Sequence, residues 1–158
     1  PSGNSIAVSN FIRLYHITGN NDYLDFAEKI MKASLLSAVE NPFGFGCLLS
    51  STYLYIKKPL EITFFSKEGI HSKKSTMLNI INRTFIPNAI FSIVDENCNL
   101  KILEKYPLFQ NKSLLVKNPN HLDDFVLICK DFTCTPPITD IKSLKDILLG
   151  KLSKEKIK

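Results

Sequence analysis

The sequence predicts an α/β fold, a helical segment followed by a small sheet layer, and three features carry that expectation. Across residues 1–58 apolar side chains recur at spacings of three and four, the period of helices that bury one stripe. From Pro59 onward short β-type runs alternate with helical patterns, as they do where helices cross over a sheet. Phe125-Val126-Leu127-Ile128-Cys129 is apolar at every position, which suits a strand covered on both faces, the habit of a parallel sheet. The division drawn from these patterns is 1–58 for the helices and 59–158 for a small α/β element with a basic tail.

The first helix starts near Asn4 or Ser5, either of which caps a helix well, and its buried stripe is Ala7, Val8, Phe11, Ile12, Leu14 and Tyr15. Gly19 supplies a left-handed stop and Asp22 caps the next helix, whose stripe is Leu24, Ala27, Ile30, Met31 and Leu35. The two form an αα-hairpin. A third helix follows Asn41-Pro42 and runs to about Tyr55, because proline is favoured in a first turn. Leu60–Phe65 is the first strand. A helix spans about Ser72 to Thr84, and Ala89–Val94 is the second strand. After a polar turn at Asp95–Asn99 come a short Leu/Tyr/Phe segment, Ser113–Val116, and the strand at 125–129. The last helix runs from Asp140 or Ser143 to Leu149 and stops at Gly150. Three helices beside so small a sheet leave a helical stripe open. Residues 1–58 are therefore expected to pack on something further, the rest of a longer chain or a second copy.

Composition narrows the function. The 158 residues are 44% hydrophobic, near the globular average of about 45–50%, so a disordered or fibrous chain is not expected. No apolar run approaches the roughly 20 residues that cross a bilayer, so no membrane partner is expected. The net charge of +5 is uneven: +1 over residues 1–58, zero over 59–141 and +4 over 142–158. Only two arginines, Arg13 and Arg83, are present, where phosphate-binding surfaces usually mix arginine and aromatics over one face. A Lys-rich, solvated C-terminus accounts for the excess, so no nucleic-acid partner is expected.

Few residues offer chemistry. Cys129 and Cys134 stand five apart and can bridge if the chain turns back, since bridged Cα atoms lie within about 7 Å. They are not Cys-x-x-Cys and open no helix, and neither histidine nor a second cysteine pair stands near. Reduced structural thiols, a structural disulfide and a redox or metal role all stay open, in that order. Cys47 and Cys98 read as an ordinary helix residue and a turn residue. His16, His71 and His121 fall in no Ser/His/Asp or Cys/His pattern, so each reads as structural or solvated. The acids of Asp95-Glu96 and Asp123-Asp124 read as solvated turn residues. The sequons Asn82-Arg83-Thr84 and Asn111-Lys112-Ser113 are idle without a secretory leader, and Gly44-Phe45-Gly46 lacks the strand that a dinucleotide loop follows. No metal, no cofactor and no catalytic residue is implied. Pro1-Ser2-Gly3-Asn4-Ser5 differs: small polar residues entering a helix suit an anion or a sugar hydroxyl, although ordinary capping is the favoured reading.

Taken together, Pro1–Ser5, the helix ending Thr18-Gly19-Asn20, Pro59–Ile62, Phe85–Asn88 and Cys129-x-x-Phe132-Thr133-Cys134-x-x-Pro137-Ile138-Thr139-Asp140 recur in one order in a known family. The chain resembles the C-terminal end of the thioredoxin-domain-containing proteins related to spermatogenesis-associated protein 20 and to the bacterial and archaeal YyaL-type proteins. That resemblance implies a longer protein with an N-terminal thioredoxin-like domain and a six-hairpin helical toroid of the glycosidase kind; the cytoplasmic location expected for it comes from the lack of a leader. Residues 1–58 would be its last helices, and the thioredoxin cysteines would lie outside this chain. Ser2, Asn4 and Ser5 would then be candidate carbohydrate-binding residues beside the toroid cavity. The function it implies is that of a sugar-directed protein's C-terminal portion, without catalysis of its own. The alternative is an interaction or redox-accessory module that uses the Cys129/Cys134 pair.

Overall fold

The computed structural model describes residues 2–66, 75–95, 98–110, 124–130 and 133–150. The fold is α/β with an N-terminal helical segment. It divides into two compact units, Pro1–Pro59 with Lys105–Leu108, and Leu60–Glu104 with Phe109–Lys158.

In the helical unit, α1 (Gly3–Thr18) begins where the Ser2 hydroxyl oxygen accepts the Ser5 N–H at 3.2 Å. It ends at Gly19, whose φ of 72° is left-handed and whose N–H donates to the Tyr15 carbonyl at 2.7 Å. A side chain is also barred there, because a Cβ on Gly19 would stand 2.6 Å from Cγ of Pro107. Asn20 then caps α2 (Asn21–Glu40) by accepting the Asp22 N–H at 2.9 Å. A 3-10 turn at Pro42–Phe45 leads into α3 (Gly46–Lys57), so the predicted third helix enters through a tighter first turn. The three helices meet through Val8 and Ile12, Ala27, Met31 and Ala38, and Leu48 and Leu54. One buried polar bond crosses that core: the Ser51 hydroxyl donates to the Ser5 carbonyl at 3.1 Å. The core uses only one side of each helix. Leu36 is 74% and Val39 68% exposed, an i, i+3 pair on the outer side of α2, and Phe43 in the turn after it is 100% exposed.

In the sheet unit the strand order is β2-β1-β3-β4, with β1 Leu60–Phe65, β2 Ala89–Val94, β3 Phe125–Lys130 and β4 Thr133–Cys134. β1 pairs parallel with β2 and antiparallel with β3, and β4 returns antiparallel on the free edge of β3. The sheet is therefore mixed, and the apolar run at 125–129 is not a parallel strand. Its apolarity reflects cover on both faces, which does not depend on strand direction. On one face Ile62, Phe64, Val126 and Ile128 pack under α4 (Thr76–Arg83) and a further helix at Ile141–Leu148, through Met77, Ile81 and Leu144. On the other, Phe65, Phe125, Leu127 and Cys129 pack with Cys98, Leu103 and Phe109 from α5 (Leu100–Leu103) and its flanks. The helix at Ile141–Leu148 is α6. Phe65 and Phe125 face each other in register and stack at 4.6 Å between ring centres. Thr63 is fully buried in the middle strand, and its oxygen accepts the Ser92 hydroxyl at 3.0 Å, so burial there leaves no polar group stranded. Ser75 caps α4 and Asp140 caps α6. Pro1, the start of the predicted helix at 72–74, His71, His121, the segment 113–116 with its sequon at 111–113, and the Lys-rich tail from 151 lie outside the described residues.

Candidate functional site

The free edge of β3 carries the one covalent cross-link described. Along that edge Val126, Ile128 and Lys130 turn their peptide groups outward, as alternate residues of an antiparallel strand do. Residues 133–138 run along it: the Thr135 N–H donates to the Ile128 carbonyl at 2.9 Å, and Val126 and Ile138 exchange bonds of 3.0 and 2.9 Å. Pro136 and Pro137 have no N–H to give, so this segment pairs at intervals. Thr135 repairs part of that loss, because its buried hydroxyl oxygen accepts the Ile128 N–H at 3.3 Å. Nothing in the sequence beyond a threonine before two prolines marked Thr135 for this role.

Within this frame Cys129 and Cys134 are direct cross-strand partners, and their sulfurs are joined as a disulfide. The bridge has two unlike ends. Cys129 is 1% exposed and belongs to the apolar cluster around Leu127 and Phe125, while Cys134 on the edge strand is exposed. Of the two bridged residues, Cys134 is the one open to solvent. Cys47 and Cys98 are free thiols. Cys98 is an unpromising nucleophile, because burial pushes its thiol up, against the smaller help of the Asp95 N–H that it accepts at 3.4 Å.

The residues singled out at the start of α1 behave differently from one another. Ser2 and Ser5 share a hydrogen bond of 2.9 Å between their hydroxyls, on top of the capping bond from the Ser5 N–H. Ser5 is buried, and its carbonyl receives Ser51. Asn4 is exposed in the first turn. Two of the three thus meet each other inside the cap, and Asn4 alone presents its amide to solvent.

Elsewhere in the helical unit, Tyr55 donates to Glu28 at 2.7 Å and Lys32 pairs with the other carboxylate oxygen at 3.0 Å. The Tyr55 bond, then Lys32, hold the Glu28 carboxyl below the usual range, and Glu28 pushes the Tyr55 phenol up. His16 lies in the last turn of α1, edge-on to Tyr15 at 5.1 Å between ring centres. Among the described residues no group of three His, Cys, Asp or Glu side chains could hold a metal ion. No described helix is long and apolar enough to cross a membrane. Comparison of the chain with models of known protein families, with curated proteins and with solved structures found no match.

Proposed function

We propose that this chain is a redox-accessory module whose Cys129–Cys134 bridge opens and closes by thiol–disulfide exchange. The observation that carries the reading is the asymmetry of the bridge, one cysteine an exposed residue of an edge strand and the other buried in the core. The co-reactant is a low-molecular-weight thiol of the glutathione class. Its thiolate attacks Sγ of Cys134, a mixed disulfide forms there, and the S–S bond breaks with its electron pair on Cys129, which takes up a proton. A second thiol attacks the small-molecule sulfur of the mixed disulfide. It leaves as the oxidised dimer, and Cys134 is released and protonated. Two electrons and two protons reach the protein, and two small thiols become one disulfide. In a reducing compartment such as the cytoplasm, an exposed bridge meets a reducing pool, so there it acts as a switch. The test is alkylation of the folded protein before and after equilibration with reduced glutathione. Cys134 is expected to be blocked before and labelled after, without denaturant, while Cys129, buried in the core, is labelled only once the protein is unfolded. A Cys134 that stays blocked until the protein is unfolded would make the bridge purely structural.

A second reading follows the resemblance: the non-catalytic C-terminal portion of a larger, sugar-directed protein, with the rest of that chain or a second copy as its partner. The exposed apolar side chains of Leu36, Val39 and Phe43 and the solvent-facing amide of Asn4 support it. Weak binding of a simple sugar that disappears in Asn4→Ala is the expected result, and binding indifferent to Asn4 would remove that reading.

A further inference from the structure

We infer that the groove between α4 and α6 binds a small amphipathic anion, one carboxylate or phosphate on a short apolar body. The groove has a volume of about 570 Å3, inside the range of roughly 300–1,000 Å3 usual for small-molecule sites. It lies on the outer side of the seam where Ile81 and Leu144 are buried against the sheet, so its walls are held by the core. Ile80 and Leu149 supply apolar lining, and Leu149 is 58% exposed. Arg83 and Lys145 supply two positive charges, and among the described residues no acidic side chain lines the groove. Neither cation has an ion-pair or hydrogen-bond partner among the described residues. Thr76 and Asn79 add exposed polar groups along the same side of α4. A planar guanidinium and an ammonium facing one apolar trough fit an anionic head with a hydrocarbon or aromatic body, since the guanidinium takes carboxylate or phosphate in a two-pronged bond. Eight residues make α4 about 12 Å long, a match for an octanoate-sized ligand and too short to seat a peptide helix of three turns or more.

Each cation also stands in the last turn of its helix, where positive charge offsets the helix dipole. That role would show in stability alone, so binding is the readout. The probe is 8-anilinonaphthalene-1-sulfonate, titrated into the full chain and followed by fluorescence. Saturable binding is expected, displaced by octanoate or octyl phosphate and not by octylamine. Comparison of the two displacers identifies the preferred head group. Binding should weaken about tenfold or more in the double variant Arg83→Gln with Lys145→Gln. The matched control, Lys101→Gln with Lys142→Gln, removes equal charge from exposed positions outside the groove and should bind as the parent does. Leu149→Ser tests the apolar half separately and should weaken binding while leaving the melting curve in place. Absence of saturable binding, displacement by octylamine as well as by the anions, or equal affinity in both double variants would overturn the inference. None of these outcomes depends on the redox state of Cys129 and Cys134.

Discussion

The helical unit and the sheet unit solve the same packing problem with opposite results. In the sheet unit every residue of β3 from Phe125 to Cys129 is buried, because α4 and α6 cover one face and residues around α5 the other. In the helical unit three helices share one core and leave Leu36, Val39 and Phe43 in solvent. A sheet with helices on one face and a folded segment on the other leaves little apolar surface on its middle strands. Among the described residues its most open apolar side chains, Phe85 and Leu149, stand just past the ends of α4 and α6. A three-helix group has only one inside, and any second apolar row must wait for a partner. The chemistry divides the same way. The disulfide and the cationic groove are in the sheet unit. The polar groups of the helical unit mostly cap helices and tie them together.

The contrast can be broken first at its largest expected effect. Phe64→Ala and Leu144→Ala each empty a fully buried site in the sheet unit and should cost about 3–5 and 2–5 kcal/mol respectively in denaturant melts. Leu36→Ala, on the outer row of α2, should fall within about 0.5 kcal/mol of the parent. A large loss at Leu36 would mean that the row is already covered. Next is Gly19→Ala, which forces a left-handed residue and sets a methyl against Pro107. It should cost roughly 1–2 kcal/mol from the backbone alone, more if the ring cannot give way. The opposite sign is expected at Lys58, a non-glycine residue with φ 56° and ψ 143° just before Pro59. Lys58→Gly relieves that backbone and should stabilise by up to about 1 kcal/mol, the gain being trimmed by the freer unfolded chain.

The smallest effect is pH dependence. The Glu28 carboxyl is held low by Tyr55 and Lys32, so its contribution is complete above the ordinary glutamate value of about 4.3 and fades as pH falls below it. The Tyr55 phenol is pushed up by the same bond, so its contribution is complete below about 10 and fades as pH rises beyond. Tyr55→Phe should flatten both ends of that window in the helical unit. The Asp140 cap of α6, lowered chiefly by the Ser143 N–H, should persist in such a variant as a separate acid-side loss in the sheet unit.

Much of this architecture was readable because local chemistry and fold agree. Gly19 after a 3.6-period stripe, Asp140 before one, and the alternation after Pro59 each match an observed boundary within a few residues. Strand direction was not readable, since an apolar run records cover and says nothing of which way a neighbour runs. The spacing of Cys129 and Cys134 allowed a bridge without requiring one, because only the return of β4 in register brings the two together. The cap at Ser2 shows a different limit. Hydroxyls at a helix start look alike in sequence whether they face a ligand or one another, and here two of them share a bond. The α4–α6 groove was invisible because Arg83 and Lys145 are 62 positions apart and meet only through the packing of Ile81 and Leu144.

The central claim, that the edge of the sheet is the responsive part and the helical unit is not, is tested most directly by hydrogen exchange on the oxidised and the glutathione-reduced protein. Opening the bridge should speed exchange at Thr135, Ile138, Val126 and Ile128, whose N–H groups clasp the edge segment, and leave the amides of α1, α2 and α3 unchanged. Exchange that rises equally in both units, or in neither, would contradict the account.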